Sequence, residues 1–583
     1  MDCGRYPPKA SLGDRVVVSA DIFRDGHDVL RAVVRYRPAG TRRWLERTMA
    51  PVGNDRWQGD FDVTELGRWQ FQIEAWTDPY ATWLDEHDRK VAAGQKDVAG
   101  ELSEGRVLFG GDGQVGDWRA AAPELTAADR RGAVSPPKLL EVDVDRELAR
   151  FGAWYELFPR SFGGFAGVAK ALPKLGELGF DVVYLPPVHP IGTTNRKGRN
   201  NALAAKTGDP GSPWAIGSTE GGHDALHPEL GSWADFDAMV EAGREAGVEI
   251  ALDFAVQCSP DHPWLVEHPE WFNRRPDGTL KYAENPPKRY QDIVNVNFDT
   301  EDWEGLWAAL RDVVLLWCSH GVRAFRVDNP HTKSVAFWEW LIAEVRRAYP
   351  DTIFLAEAFT RPVMMETLAK LGFSQSYTYF TWKNTKAELV EFVQQLLDWS
   401  PYYRPNCFAN TPDILHEYLQ LGGPPAFEAR LILAATISPS YGIYSGFESF
   451  ENTPVTPGSE EYLDAEKYEV RKRSLDGPLL PLVRRLNEIR RAEPALQRLE
   501  NIRFLETHSE QLIAYTKGTE LIVVVNLDPL SAREGLAVVP PGLGFDGELA
   551  VTDLLTGQRY RWRAGRNFVH LGPGKAHVLK VEA

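Results

Sequence analysis

Cysteine is scarce in this chain. The four residues among 583, Cys3, Cys258, Cys318 and Cys407, stand far apart with no CxxC spacing. That argues against a disulfide framework or a zinc site and for reduced thiols in a cytoplasm. No uninterrupted apolar run reaches the roughly 20 residues that a membrane helix needs. The opening MDCGRYPPKA also lacks the apolar core of a signal peptide, so neither a membrane partner nor export is expected. Positive charge is in deficit: 65 Lys and Arg stand against 82 Asp and Glu, a net charge of −17. A polyanion would be repelled without a concentrated basic patch, so nucleic acid is not an expected partner, whereas a small anionic substrate needs only a local cationic pocket. No internal repeat or low-complexity tract is present. What is there is ordinary for a soluble globular protein, with 43% hydrophobic and 25% charged residues. The length predicts three or four domains. The 19 tryptophans exceed what a core requires, and some are expected as platforms for sugar rings.

Residues 1–84 read as a β-sandwich, because short runs such as RVVVSADIF, LRAVVRYRP and RWQFQIEAW alternate with turn signals (DGHD, PAGT, GNDR). Residues 85–145 turn Ala/Glu/Asp/Arg-rich and read as a short helical insertion or linker, with ELSEGRVLF and APELTAADRR helical and GGDGQVGDW a loop. Residues 146–494 alternate strand and helix patterns, as a (β/α)8 barrel requires. The eight expected strands lie in AWYELFPRS, FDVVYLPPVHP, VEIALDFAV (ending near Asp253), VRAFRVD, TIFLAEAF, SYTYFTW, NCFANT and TISPSYGIYSG. Two long loops interrupt them, 189–223 and 257–297, and loops of that length in a compact domain are usually functional. Residues 495–583 read as a second β-sandwich. The expected fold class is therefore α/β, a TIM barrel flanked by β-sandwiches.

The chemistry starts at GVRAFRVDNPHTK. The alternating run from Val322 to Val327 is a strand that delivers Asp328 at its carboxyl end, where a barrel of this kind places its catalytic groups. Arg326, two residues earlier, shares a strand face with Asp328 and can hold it ionised and aimed. Taken alone, the two also read as a structural pair at a strand end. The next strand, in DTIFLAEAF, ends on Glu357, one βαβ unit further on, so adjacent strands deliver one carboxylate each to the same face. Retaining glycosyl transfer needs two facing carboxyls, one as nucleophile and one as acid and then base. A third, Asp413, follows in CFANTPD.

Together these residues resemble the machinery of glycoside hydrolase family 13, the α-amylase superfamily. Two departures argue against a generic α-amylase and its calcium site. DFAVQC places Gln257 and Cys258 where the superfamily usually has Asn-His, and NTPD has Pro412 where a His usually precedes the last Asp. These variants, with WYELFPRSFG, LPPVHPIG, NRKGRNN, GSPWAIGS, AENPPKRYQDI, RVDNPHTK, SPSYGIYSGFE and GSEEYLDAEKY, are similar to the α-1,4-glucan:maltose-1-phosphate maltosyltransferases. The resemblance implies that Asp328 is the nucleophile, Glu357 the acid/base and Asp413 the transition-state stabiliser. It assigns Lys197, Gln257, Asp292, Asn329, Lys467 and Tyr468 to bound maltose 1-phosphate, with Lys288 and Tyr290 beside them. A phosphate leaving group needs cations and donors, and Lys288, Tyr290 and Asn329 are of the right types on the right barrel face. The alternative for these three, and more so for Lys197, is a solvated loop. His331 reads as a group supporting the site rather than a catalytic one.

The resemblance implies a retaining transferase that moves maltosyl from α-maltose 1-phosphate to an α-1,4-glucan and releases phosphate, with neither metal nor cofactor. An α-glucan hydrolase or trehalose-forming isomerase on the same barrel is the alternative enzyme, and a glucan-binding protein on a decayed scaffold the alternative class. The family's N-terminal sandwich is usually followed by a longer helical bundle that helps to form a homodimer. The short stretch here predicts a weaker dimer, in equilibrium with an active monomer.

Overall fold

The structure is a computed structural model that describes residues 1–285, 288–542 and 547–582. The chain forms two compact units, Met1–Asp145 and Arg146–Ala583.

In the first unit a five-stranded sheet runs in the order Lys9–Ser11, Leu140–Asp145, Gly67–Thr77, Leu30–Pro38, Leu45–Thr48, and a three-stranded sheet joins Arg15–Asp21, Arg56–Asp62 and Ala50–Gly53. Alternation along the strands sends Val34, Phe61, Trp69 and Val142 into a shared core, where Tyr36 stacks on Phe61 with ring centroids 4.5 Å apart. Three helices follow, Pro79–Ala92, Ala99–Phe109 and Val115–Ala128. Asp78 caps the first by accepting from the Ala81 N–H. Their faces meet over Trp83 and Trp118, which close on Gly105 so tightly that a Cβ there would lie 2.6 Å from both rings. The boundary expected at residue 84 falls inside the first of these helices. The run LEVDVD, Leu140–Asp145, returns to pair with Gly67–Thr77, so the expected linker ends as a strand of the sandwich.

The second unit is organised by a closed parallel barrel. Its strands are β1 (Gly152–Glu156), β2 (Val182–Leu185), β3 (Glu249–Phe254), β4 (Ala324–Val327), β5 (Ile353–Ala356), β6 (Gln375–Tyr377), β7 (Pro405–Phe408) and β8 (Ser440–Tyr444). They are short, nearly continuous apolar runs, as expected of strands buried on both faces. Trp154, Tyr184, Ala251, Ala324, Leu355, Tyr377 and Phe408 pack together as a core cluster. The helices carry the complementary stripe. Trp233–Ala246, for example, starts in a Ser232–Asp235 capping box and stops at Gly247, whose φ of 69° suits glycine.

Two expectations change. The aromatic run SYTYFTW is strand only to Tyr377, and Tyr379–Trp382 turns into a 3-10 helix with the Thr378 side chain accepting from the Phe380 N–H. The loop expected over 257–297 contains a small antiparallel sheet of Gln257–Cys258, Lys288–Asn295 and Tyr282–Asn285. An eight-stranded C-terminal sheet begins at Ile502–Thr507, after a helix (Leu480–Ala492) and a 3-10 turn (Pro494–Gln497). No helix among the described residues is long and apolar enough to cross a membrane.

Candidate active site

The site is built at the carboxyl ends of β3, β4 and β5. Beyond the last residue of β4, the Asp328 N–H continues the ladder to Phe254 O at 3.2 Å, and beyond β5 the Glu357 N–H bonds to Val327 O at 3.0 Å. Backbone pairing therefore fixes both carboxylates one step past the strands, at the rim. Arg326 pairs in register with Asp253 and occupies the centre. Its Nη1 donates to Asp253 Oδ2 and to Asp328 Oδ1, each at 2.8 Å, and its Nη2 lies 2.6 Å from Glu357 Oε1. One buried guanidinium thus faces three carboxylates, the arrangement for which a planar fork of donors is suited.

Asn329 links the two outer carboxylates. Its backbone is left-handed (φ 41°, ψ 53°), a conformation that asparagine tolerates better than most residues. In that conformation its N–H points to Glu357 Oε2 at 3.3 Å and its side-chain Nδ2 to Asp328 Oδ2 at 3.4 Å.

The environment divides the carboxylates. Burial alone would raise the Asp328 pKa, but the charge of Arg326, followed by that of Lys333, brings it below the ordinary value. Burial also raises Glu357, and Asp328, Asp413 and Asp253 add repulsion that Arg326 does not offset, so its pKa rises to about 8. Asp253 is raised by burial as well. A low-pKa carboxylate beside a high-pKa one separates the nucleophile role from the acid role.

Asp413 stands on the opposite side of the cleft after β7, with its side chain 43% exposed and its Oδ1 2.6 Å from Lys467 Nζ. Burial would pull Lys467 down, but the charge of Asp413, with Tyr468 and Tyr290, holds its pKa well above the ordinary value. Lys467 also lies 5.1 Å from the centre of the Trp214 ring. Asp292 is buried, and burial raises its pKa against the charges of Lys197 and Lys467. Buried Lys197 donates to Gln291 Oε1 at 2.6 Å. Gln257 is buried on the short strand that pairs with the strand bearing Tyr290 and Asp292. The fold thus gathers Asp328, Asn329, Glu357, Arg326, Asp413, Lys467, Tyr468, Tyr290, Asp292 and Lys197 about one cleft, with Gln257 on the sheet that flanks it. The Lys288 side chain lies outside the described residues.

Alpha-1,4-glucan:maltose-1-phosphate maltosyltransferase 1 of Streptomyces coelicolor is 49% identical to this chain, over 99% of it and 93% of the relative. The enzyme of the same name from Cereibacter sphaeroides is 48% identical over 98% of this chain and 92% of its own length. This chain belongs to the α-1,4-glucan:maltose-1-phosphate maltosyltransferase family. Residues 1–154 match the model of that family's domain N/S, and residues 504–581 match that of its C-terminal domain. Solved structures similar in fold include a maltogenic α-amylase from Thermotoga neapolitana (TM-score 0.60, 19% identical, covering 75% of this chain and 100% of that one). An α-amylase from Lactobacillus plantarum is comparable (TM-score 0.59, 22% identical, 75% and 100% covered).

Several residues of this family member lie at the site without having been singled out from sequence. Asp253 accepts from Tyr184 Oη at 2.5 Å and from Trp214 Nε1 at 3.2 Å, besides Arg326. Glu156 is buried at the end of β1, with Oε2 lacking a hydrogen-bond partner among the described residues and its pKa raised by burial. Lys333 is buried enough for its pKa to fall, opposed by the charges of Asp328 and Glu357. The signal available for Asp253 was its place at the end of β3, one residue before the last of the strand.

Among the described residues, His223, Cys258 and His262 bring three ligand-type atoms within 4.8 Å of one another. Hydrogen bonds account for both nitrogens of both rings. The Trp264 N–H donates to His262 Nδ1 (3.1 Å), His262 Nε2 meets His223 Nδ1 (3.0 Å), and His223 Nε2 meets Ala255 O (2.9 Å). Each ring is then a neutral donor-acceptor in a fixed relay, and burial depresses the pKa of both, to about 4 for His223 and about 2 for His262. A metal would have to break that chain.

Proposed function

We propose that this chain is a retaining glycosyltransferase that moves maltosyl from α-maltose 1-phosphate to the non-reducing end of an α-1,4-glucan and releases phosphate. The observation that carries the reading is the pair of carboxylates of opposed acidity, Asp328 and Glu357, held by one guanidinium beside a cleft that also bears Lys467 and Lys197. The names of the full-length relatives agree with it.

In the first half-reaction Asp328 attacks the anomeric carbon, the bond to the phosphate oxygen breaks, and a β-maltosyl ester forms. Phosphate leaves with the bonding electron pair and takes the proton of Glu357; its charge is met by Lys467, Lys197, Tyr290 and Asn329, and Asp292, Gln257 and Tyr468 bind the sugar. Asp413 supports the cationic ring of the transition state, and Lys467 passes from it to the phosphate. Formation of the ester removes the negative charge of Asp328, one of the charges that raise Glu357, so the Glu357 pKa falls and it becomes a base. In the second half-reaction Glu357 takes the proton of the acceptor hydroxyl, whose oxygen displaces Asp328 and restores the α-configuration.

The protein is proposed to act in the cytoplasm, as a homodimer associating weakly through its N-terminal sandwich. All three carboxylates come from one barrel, so the monomer is active. Phosphate release from α-maltose 1-phosphate, measured with and without maltooligosaccharide, tests the function. Sustained release only with acceptor, with chains extended by two glucosyl units, is expected; glucan hydrolysis or trehalose formation without phosphate turnover refutes it.

A further inference from the structure

The turn after β1, Phe158 to Ser161, touches two segments that meet where Lys467 lies beside the Trp214 ring. Arg160 Nη1 donates to Gly211 O at 3.0 Å, and its Nη2 donates to Glu466 O. Gly211 opens the segment that ends in Trp214, whose indole N–H holds Asp253 and whose ring lies beside Lys467. Glu466 immediately precedes Lys467 and Tyr468. Its carboxylate is fixed independently, accepting from Tyr444 Oη at 2.5 Å and from Arg473 Nε and Nη2 at 3.0 and 2.7 Å. Phe158 packs against both Trp214 and Tyr444 at centroid distances of 6.0 Å. Ser161 adds two bonds to the chain beyond, its Oγ accepting from the Arg471 N–H at 3.1 Å and its carbonyl from the Arg473 N–H at 3.3 Å.

We propose that Arg160 is a positioning residue of the donor pocket, clamping the Trp214 segment and the Lys467–Tyr468 segment at one fixed separation. The proposal rests on the reading of Lys467 and Tyr468 as donor-binding residues. Arginine bridges two carbonyls on separate segments with a fixed fork of donors, where lysine offers a point charge on a flexible stem. Arg160 stays cationic in this setting, because burial lowers its pKa only to about 10 while the charges of Glu466 and Tyr444 oppose the fall. Without the clamp the Glu466 carboxylate remains tied to Arg473 and Tyr444, so the segment stays folded, but the peptide that aims Lys467 loses its donor.

The test is a double-mutant cycle on the full chain with Arg160→Met and Lys467→Met, reading KM for α-maltose 1-phosphate separately from KM for a maltooligosaccharide acceptor. Displacement of a positioned group by about 1 Å costs up to roughly a hundredfold, so Arg160→Met is expected to raise donor KM roughly ten- to a hundredfold. Acceptor KM is expected to stay unchanged, and the double variant to be no worse than Lys467→Met alone. Arg160→Lys, which keeps charge without the fork, is expected to recover only part of the loss and stands in if the methionine variant does not fold. Donor KM unchanged in either Arg160 variant, or effects that simply add, overturns the proposal while the donor reading stands. Donor KM unchanged in Lys467→Met refutes the donor reading itself, and the proposal with it.

Discussion

Replacing Arg326 with methionine removes the one guanidinium shared by Asp253, Asp328 and Glu357, whose side chains are 0%, 9% and 12% exposed. Taking one partner from a buried ion pair costs about 3–5 kcal/mol. At about 1.4 kcal/mol per pKa unit, that is roughly two to four units, felt by the carboxylates left behind. Asp328, held below its ordinary 3.8 in the native protein by the charge of Arg326, should then be raised by its burial, and a protonated nucleophile is inert. The acidic limb of kcat/KM for the donor is therefore expected to move up by at least about two pH units, with activity recovering as pH rises. Stability follows with a definite sign. In the native protein the depressed Asp328 stabilises the fold above its unfolded pKa and loses that contribution as pH falls through the folded value. In the variant the same carboxylate is raised, so its contribution is present at low pH and is lost as pH rises through the new value. The Tm deficit of Arg326→Met should thus widen as pH rises above the ordinary carboxylate range. Phosphate release and thermal melts in one set of buffers measure both. An unmoved acidic limb together with a pH-independent Tm deficit would refute the idea that Arg326 keeps the nucleophile ionised.

The remaining expectations are more direct. Asp328→Asn keeps the shape but cannot form the ester, so turnover should fall by several orders of magnitude while donor binding, followed by calorimetry, is largely kept; near-native phosphate release would contradict the assignment. Glu357→Gln lacks the base for the second half-reaction, so a maltosyl adduct should accumulate and be seen by intact-protein mass spectrometry; no adduct at any time while Asp328 is present counts against the two-step scheme. Exhaustive chelation should leave activity intact, since the hydrogen-bond relay engages the ring nitrogens of His223 and His262; activity lost and then restored by calcium would show otherwise. Light scattering over a dilution series, with activity on the same samples, should show dissociation without loss of specific activity; a dimer that never dissociates, or activity that collapses with it, counts against the weak-dimer reading.

What could be read from sequence was local. Arg326 and Asp328 are two residues apart on a strand, so their shared face follows from the pleat. Glu357 follows one βαβ unit later, so its neighbourhood follows from the parallel register. The alternation of apolar runs and amphipathic helices was enough to place the eight strands. What escaped was convergence between distant segments. Tyr184, Trp214, Asp253 and Arg326 meet on one carboxylate oxygen, yet nothing in any one of their segments marks the others. The Lys467–Asp413 pair joins β7 to a loop beyond β8 in the same way. The ending of β6 was misread for a different reason: Tyr379, Phe380 and Trp382 are good strand formers, but tertiary packing overrides that preference and turns them into a 3-10 helix. The return of Leu140–Asp145 to the first sheet was missed because a strand separated from its partners by three helices carries no local mark of where it pairs.

The left-handed backbone at Asn329 constrains how this enzyme can change over evolutionary time. The position touches both Asp328 and Glu357 through one side-chain amide and one peptide N–H. Glycine would keep the backbone and lose the amide. Aspartate would tolerate the backbone but set a negative charge beside Asp328, and a β-branched residue would bear the left-handed penalty of about 1–2 kcal/mol at the point where the two carboxylates are aligned. A mutational path toward a different leaving group or donor therefore has almost no viable single step here. Drift in specificity must enter through the surrounding loops instead, and a library that randomises this codon should return asparagine nearly alone among active clones.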